Sequence, residues 1–424
     1  MNSGPYNRVL VGSVRDSRAP VWFWAALALG IALRIYLVIF TEGTYDVANW
    51  EKHARGVNEL GLFDYYRSTP KANHPPVILE VESFLWRAAQ VSGIPFRVLL
   101  RAPFAFLDVA TALLLLVLLS FHRRRFVLVA IYWLNPLSLI FSAYHGNTDS
   151  SVAFFLLLAV WLLSREKIAA SAIAVGVGVW IKLPGLVAVL AFLFYLQKWR
   201  QRLLFVCVLA IVALVGYSPA LLHPDVIARN VFGYHGGLLQ TTAGVPAWGS
   251  RVLFFSIIAP PDKWPEYLHP PVVFFLLHNW QIAVVCSVIL SFLRRSRRSI
   301  PELGATIAMI YVVIYGLSDY WAFQYFAWSL PFWFFLPTWF FLGATLVASA
   351  YIYSLYWTLC GNGWLLGKWD FIGNPSWPGF VLIFRNLAVL FFFVCACVFL
   401  IVAIWNQCAA LWKKSRETTG PSRR

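Results

Sequence analysis

An all-α membrane fold, crossed by about a dozen helices, is what this sequence predicts. Three observations carry the prediction. Of 424 residues 60% are hydrophobic and only 12% charged, whereas a soluble domain carries about 25% charged residues. Mean hydropathy is +0.69, too apolar for one aqueous core. The Lys and Arg residues fall in short clusters between apolar runs, the pattern that orients helices in a bilayer.

Taken in order, an N-terminal arm, residues 1–20, holds Arg8, Arg15 and Arg18. The apolar stretch after it lacks a small-residue cleavage site and is expected to be a retained first span. Runs long enough to cross a bilayer start near Val21, Val98, Phe126, Ser151, Ile168, Leu186, Leu203, Val272, Ala305, Phe323, Phe340 and Phe380. Basic clusters at His122–Arg125, Arg165–Lys167, Lys198–Arg202, Arg294–Arg298 and Lys413–Arg416 are assigned to the cytoplasm by the positive-inside rule. Alternation then requires 323–357 to be two short spans turning near Pro337. The result is one membrane domain, 21–412, with a polar cytoplasmic tail, 413–424, and no internal repeat or soluble domain.

The outer side receives the segments 42–97, 144–150, around 182–185, 223–271, 318–322 and 358–379. Within the first loop, Trp50, Ala54 and Val57 share a helical face ending at Gly61, and Val77, Val81, Phe84, Leu85 and Ala88 mark a second amphipathic helix. Both are expected to lie along the membrane surface. The formal charge of +16 is spent on topology, so no nucleic-acid partner is expected; membrane lipids are. None of the six cysteines forms a CxxC pair or a disulfide framework.

Chemistry-bearing residues concentrate on that outer side. Asp46 follows the first span, where a carboxylate serves either as a helix cap or as a proton acceptor. Asn73-His74-Pro75-Pro76 makes His74 either a substrate contact or a cap for the next helix. In Tyr144-His145-Gly146-Asn147-Thr148-Asp149, His145 and Asp149 either point into one cavity, holding substrate hydroxyls or orienting Asp46, or serve only the turn. Lys182 before Leu183-Pro184 either snorkels or meets a substrate phosphate. Gly233–Gly237, with Tyr234, is either a cleft wall or a flexible loop. Gln324 and Tyr325 either line a cleft or belong to an interfacial aromatic belt. Inside the membrane, Asp108 has two possible partners, Arg34 and Arg101.

The first-loop aspartate, the Pro-Pro, the Asn135-Pro136 leading to His145-Gly146-Asn147-Thr148-Asp149, the Lys182-Leu183-Pro184 turn and the Gln324-Tyr325-Phe326-Ala327-Trp328 segment together resemble bacterial GT-C glycosyltransferases, to about residue 335. The resemblance implies a multi-span enzyme with two interfacial helices in its first outer loop and a catalytic aspartate there, Asp46. It implies a polyprenyl-phosphate sugar as donor, and a glycan, lipid or protein as acceptor outside the cytoplasm. A bacterial inner membrane is the expected location, no usable Asn-x-Ser/Thr sequon being present. The expected reaction is hexose transfer, of mannose or glucose, with inversion, and Lys182 on the donor phosphate. No metal or other cofactor is expected, since His145 and Asp149 form an incomplete ligand set. The sequence departs from the acidic Asp-x-Asp version of the family, its one pair of that spacing being Glu80 and Glu82. A transporter or flippase of lipid-linked sugars is the alternative, but such proteins hold substrate near the midplane of repeated halves.

Overall fold

The computed structural model describes residues 18–70, 72–218, 222–233, 246–258, 263–319, 321–370 and 376–419. Among these residues there is no β-strand. The first span, α1 (Val21–Phe40), has 20 residues, which at about 1.5 Å rise cover a hydrocarbon core of about 30 Å. Three helices form in the loop that follows it: α2 (Tyr45–Leu60), α3 (Leu62–Ser68) and α4 (Pro76–Ser92). Gly61 ends α2 at φ 78° and Gly93 ends α4 in the left-handed region. After α5 (Phe96–Leu118) come α6 (Arg125–Trp133) and α7 (Pro136–Tyr144), bent by 48° at Asn135-Pro136. The Asn135 side chain caps the second arm by accepting from the Leu137 N–H at 2.9 Å.

Onward run α8 (Asp149–Ser164), α9 (Ile168–Ile181), α10 (Val189–Tyr195), α11 (Trp199–Tyr217), α12 (His269–Leu293), α13 (Ile300–Leu317), α14 (Thr338–Cys360) and α15 (Gly379–Thr419). Seven helices, α1, α5, α11, α12, α13, α14 and α15, are long and apolar enough to cross a membrane, and the bent pair α6–α7 makes an eighth. The chain is a multi-pass membrane protein. Of the dozen expected spans, those beginning at Ser151, Ile168 and Leu186 form apolar helices of only 10–17 residues.

The expected pair of short spans within 323–357 is corrected. Phe323–Trp328 and Leu330–Phe335 are 3₁₀ turns, while α14 is a single helix of 23 residues. Pro331 has no N–H for the Ala327 carbonyl, so an α-helix cannot continue across Ser329. The aromatic side chains of both turns are buried nevertheless, apart from the half-buried Phe335, against α8 and the enclosed α13. The polar tail from Lys413 continues α15 as helix to Thr419.

The loop after α1 has its own apolar core, in which Trp50, Ala54, Val57, Tyr66 and Leu79 sit on Leu100 and Phe104 of α5. The α2 face expected from sequence is the buried one. On α4 the protein-facing side is Ile78, Leu79, Glu82, Ser83 and Ala89, whereas Val81 and Phe84 of the expected stripe are exposed. That stripe turns away from the protein because α2 and α5 already fill the inner side.

Candidate active site

Asp46 is positioned by two turns locked against each other. The Thr44 hydroxyl accepts from the Asp46 N–H at 3.2 Å and donates to the His145 carbonyl at 2.7 Å, tying the start of α2 to the α7–α8 turn. Gly146 has φ +78°, and a Cβ there would lie 2.3 Å from Val47 Cγ2, so only glycine allows the approach. Beneath both turns lies Arg101, 0% exposed. Its guanidinium donates to the carbonyls of Val38 at 2.9 Å, Thr41 at 2.6 Å and Tyr144 at 3.3 Å. It thereby satisfies the carbonyl groups left open where α1 and α7 end. Arg101 does not pair with Asp108. That carboxylate meets Arg34, with Ser138 and Tyr132 as further donors.

A chain of hydrogen bonds extends from Asp46 in both directions. His145 Nε2–H donates to Asp46 Oδ2 at 3.0 Å, since a carboxylate only accepts. His145 Nδ1 lies 2.5 Å from the Tyr356 hydroxyl. Asn147 Nδ2 donates to the same Oδ2 at 2.5 Å. Lys182 Nζ donates to Asn147 Oδ1 at 3.2 Å and to Asp149 Oδ2 at 2.6 Å. Trp328 Nε1 donates to Asp149 Oδ1 at 2.5 Å. Asp149 and His145 are each 1% exposed, whereas the Asp46 side chain is 31% exposed. Asp46 Oδ1 has no hydrogen-bond partner among the described residues. Burial alone raises the Asp46 pKa, but His145, Asn147 and Lys182 together outweigh it and hold the carboxyl at about 2. It is a carboxylate at any physiological pH.

The free oxygen borders a cavity of about 840 Å³, large enough for a sugar and its linkage. Asp46, Asn147, Lys182, Gln324 and Tyr325 form one wall; Asn49, Trp50, His53, Tyr65, Asn73 and His74 form another. The second wall carries one cation, Lys52, and its other polar groups are neutral. His74 stacks on Trp50 with ring centroids 4.2 Å apart, and His53 Nδ1 meets the Tyr65 hydroxyl at 2.6 Å. Burial, then Lys52, lowers His53 to about 4; burial, then Lys182, holds His74 well below its usual value. Both imidazoles are neutral and offer hydrogen bonds to hydroxyl groups.

Comparison with known proteins finds no family model and no curated protein that matches this chain. Five of the residues singled out in the sequence, Asp46, His74, Lys182, Gln324 and Tyr325, line one cavity. His145 and Asp149 stand directly behind it, as partners of Asp46 and Lys182. Tyr234 lies outside the described residues. Sequence reasoning treated Asn147 as a turn residue, although it bridges the two charged groups, and it missed Tyr356 altogether. Asn147 was at least within a flagged turn; Tyr356 sits in an aromatic run, 211 residues from His145, with no local signal. Glu80 is exposed and Glu82 is buried on the inner side of α4, so this pair does not converge.

Proposed function

We propose that the protein is an inverting glycosyltransferase that moves a hexose, mannose or glucose, from a polyprenyl-phosphate donor to a hydroxyl acceptor at the Asp46 cavity. The observation that carries this reading is the half-used carboxylate, Oδ2 fixed by two donors and Oδ1 facing the cavity unpartnered. In the reaction the acceptor oxygen attacks the anomeric carbon from the side opposite the phosphate. The bond from that carbon to the phosphate oxygen breaks, polyprenyl phosphate leaves with the electron pair, and the acceptor's proton passes to Asp46 Oδ1. A base of such low pKa takes the proton late, once the new bond has made the hydroxyl acidic. Lys182 has three N–H donors, two of them engaged, and the third serves the departing phosphate. The neutral side chains of Asn49, His53, Asn73 and His74 suit sugar hydroxyls, and the exposed Val81 and Phe84 of α4 suit a helix lying on the lipid surface.

The cavity is taken to face the exterior of a bacterial inner membrane, because the basic clusters gather at the opposite end. An impermeant thiol reagent should label a cysteine introduced at the exposed Ser68, and should not label one at Ser296. Incubating the purified protein with radiolabelled polyprenyl-phosphate hexose tests the chemistry itself. Sugar release that depends on Asp46 supports transfer; movement of intact donor between leaflets with no release favours a flippase.

A further inference from the structure

A groove between α10, α11 and α12 plays no part in the proposed reaction. It lies at the far end of the bundle from Asp46, since the chain leaves the cavity at Lys182 and runs down α10 to the basic turn at Lys198–Arg202. Because α10 has only 7 residues, it leaves α11 and α12 apart over a hollow of about 450 Å³. Leu190, Leu193 and Phe194 form its floor, with Leu203, Val206 and Val288 on its sides. Leu203 and Val206 are 51% and 41% exposed, open to the hydrocarbon of the bilayer.

Two cations stand at its mouth. Arg202 gives Nε to the Leu196 carbonyl at 2.9 Å, and its terminal nitrogens have no partner among the described residues. Arg295 lies with its guanidinium 3.7 Å from the Phe292 ring, which packs on Phe194 at 5.8 Å. Among the described residues neither arginine has a carboxylate: Glu302 is held by Arg294 and Arg297. Arg295 also donates to the Phe292 carbonyl at 2.8 Å. Apolar walls ask for hydrocarbon, and guanidinium groups without a carboxylate beside them ask for an oxyanion. A second copy of the chain would set like charges against each other. We propose that the groove holds an acyl chain of an anionic phospholipid whose phosphate rests on Arg202 and Arg295.

The test is native mass spectrometry of the full chain released from vesicles of mixed phosphatidylcholine and phosphatidylglycerol. Phosphatidylglycerol should be retained several-fold above its share of the mixture. Arg202→Gln with Arg295→Gln should return retention to that share, and Val206→Trp, which fills the groove, should lower it as well. Val288→Phe is the milder filler if Val206→Trp fails to accumulate. Equal retention of both lipids by the unaltered protein, or enrichment indifferent to the arginine substitutions, overturns the proposal. So does a dimer cross-linked through Val206, which would name a second copy as the occupant.

Discussion

Two charge clusters occupy this molecule, and they are built to opposite plans. In the first, Asp108 is 3% exposed and receives Arg34, Ser138 and Tyr132, while Arg34 also donates to the carbonyls of Gly30 and Trp133 and lies 3.5 Å from the Trp133 ring. Its bonding capacity is consumed within the protein. In the second, Asp46, Asn147, Lys182 and Asp149 are linked in series, yet one carboxylate oxygen and one ammonium hydrogen stay unused at a cavity wall. A saturated cluster can only hold helices together. One that keeps spare capacity beside open space can act on something that enters it.

Substitutions in the two clusters should therefore separate chemistry from folding. The largest effect is expected for Asp46→Asn, which should lower the transfer rate by about 10²–10⁴-fold, the usual contribution of a general base. Donor binding should stay near that of the parent, and the protein should remain folded, losing only the stability that the ionised carboxylate supplies. Parental turnover in this variant would end the catalytic assignment. For Asp108→Ala the expected outcome reverses: about 3–5 kcal/mol of stability lost in detergent, since Arg34 is stranded as a buried charge. Should Asp108→Ala prove as stable as the parent, the contrast between the clusters fails.

A smaller effect sharpens the comparison through pH. The folded pKa of Asp46, about 2, lies below its ordinary 3.8. Its stabilising contribution is thus present above 3.8 and lost as pH falls through about 2. The pH–rate profile of the parent should consequently show no acid limb from Asp46 down to the ordinary carboxylate range, about 4. His145→Gln should move an acid limb upward into view, and an unmoved profile would make His145 a packing residue only.

The smallest effect concerns Glu82, 0% exposed, with both carboxylate oxygens unpartnered. Burial raises its pKa well above 4.5. The folded protein holds that proton more tightly than the unfolded chain, so stability is greatest below 4.5 and declines as pH rises toward the folded value. Glu82→Met should raise stability at neutral pH by about 1–3 kcal/mol, the cost of an unmet buried polar group. The gap between the two melting curves should narrow as pH falls and Glu82 is protonated in both states; a gap that does not change with pH would place the effect elsewhere.

Much of the architecture was legible because hydrocarbon imposes simple demands. Runs of sufficient length gave α1, α5 and α11–α15, and turn chemistry at Gly61 and Pro75-Pro76 bounded the first-loop helices. The 3₁₀ turns at 323–335 were not legible, since an apolar aromatic run reads alike whether it spans a bilayer or folds back into a core. Nor was the inward side of α4, which Ile78, Leu79, Glu82, Ser83 and Ala89 form. The site was legible as a set of residues on one side. Which residue touches which was not: the order Tyr356, His145, Asp46, Asn147, Lys182, Asp149, Trp328 joins five separate stretches of chain, and no local pattern encodes that pairing.

The bond from Tyr356 to His145 also sets a timetable. Its ends are 211 residues apart, so at about 5–20 residues per second the ribosome needs roughly 10–40 s to pass from one to the other. Throughout that interval Asp46 and His145 have been synthesised, but the ring that meets the imidazole has not. A chain released before α14 therefore carries every residue that lines the cavity and still lacks the phenol that orients its base.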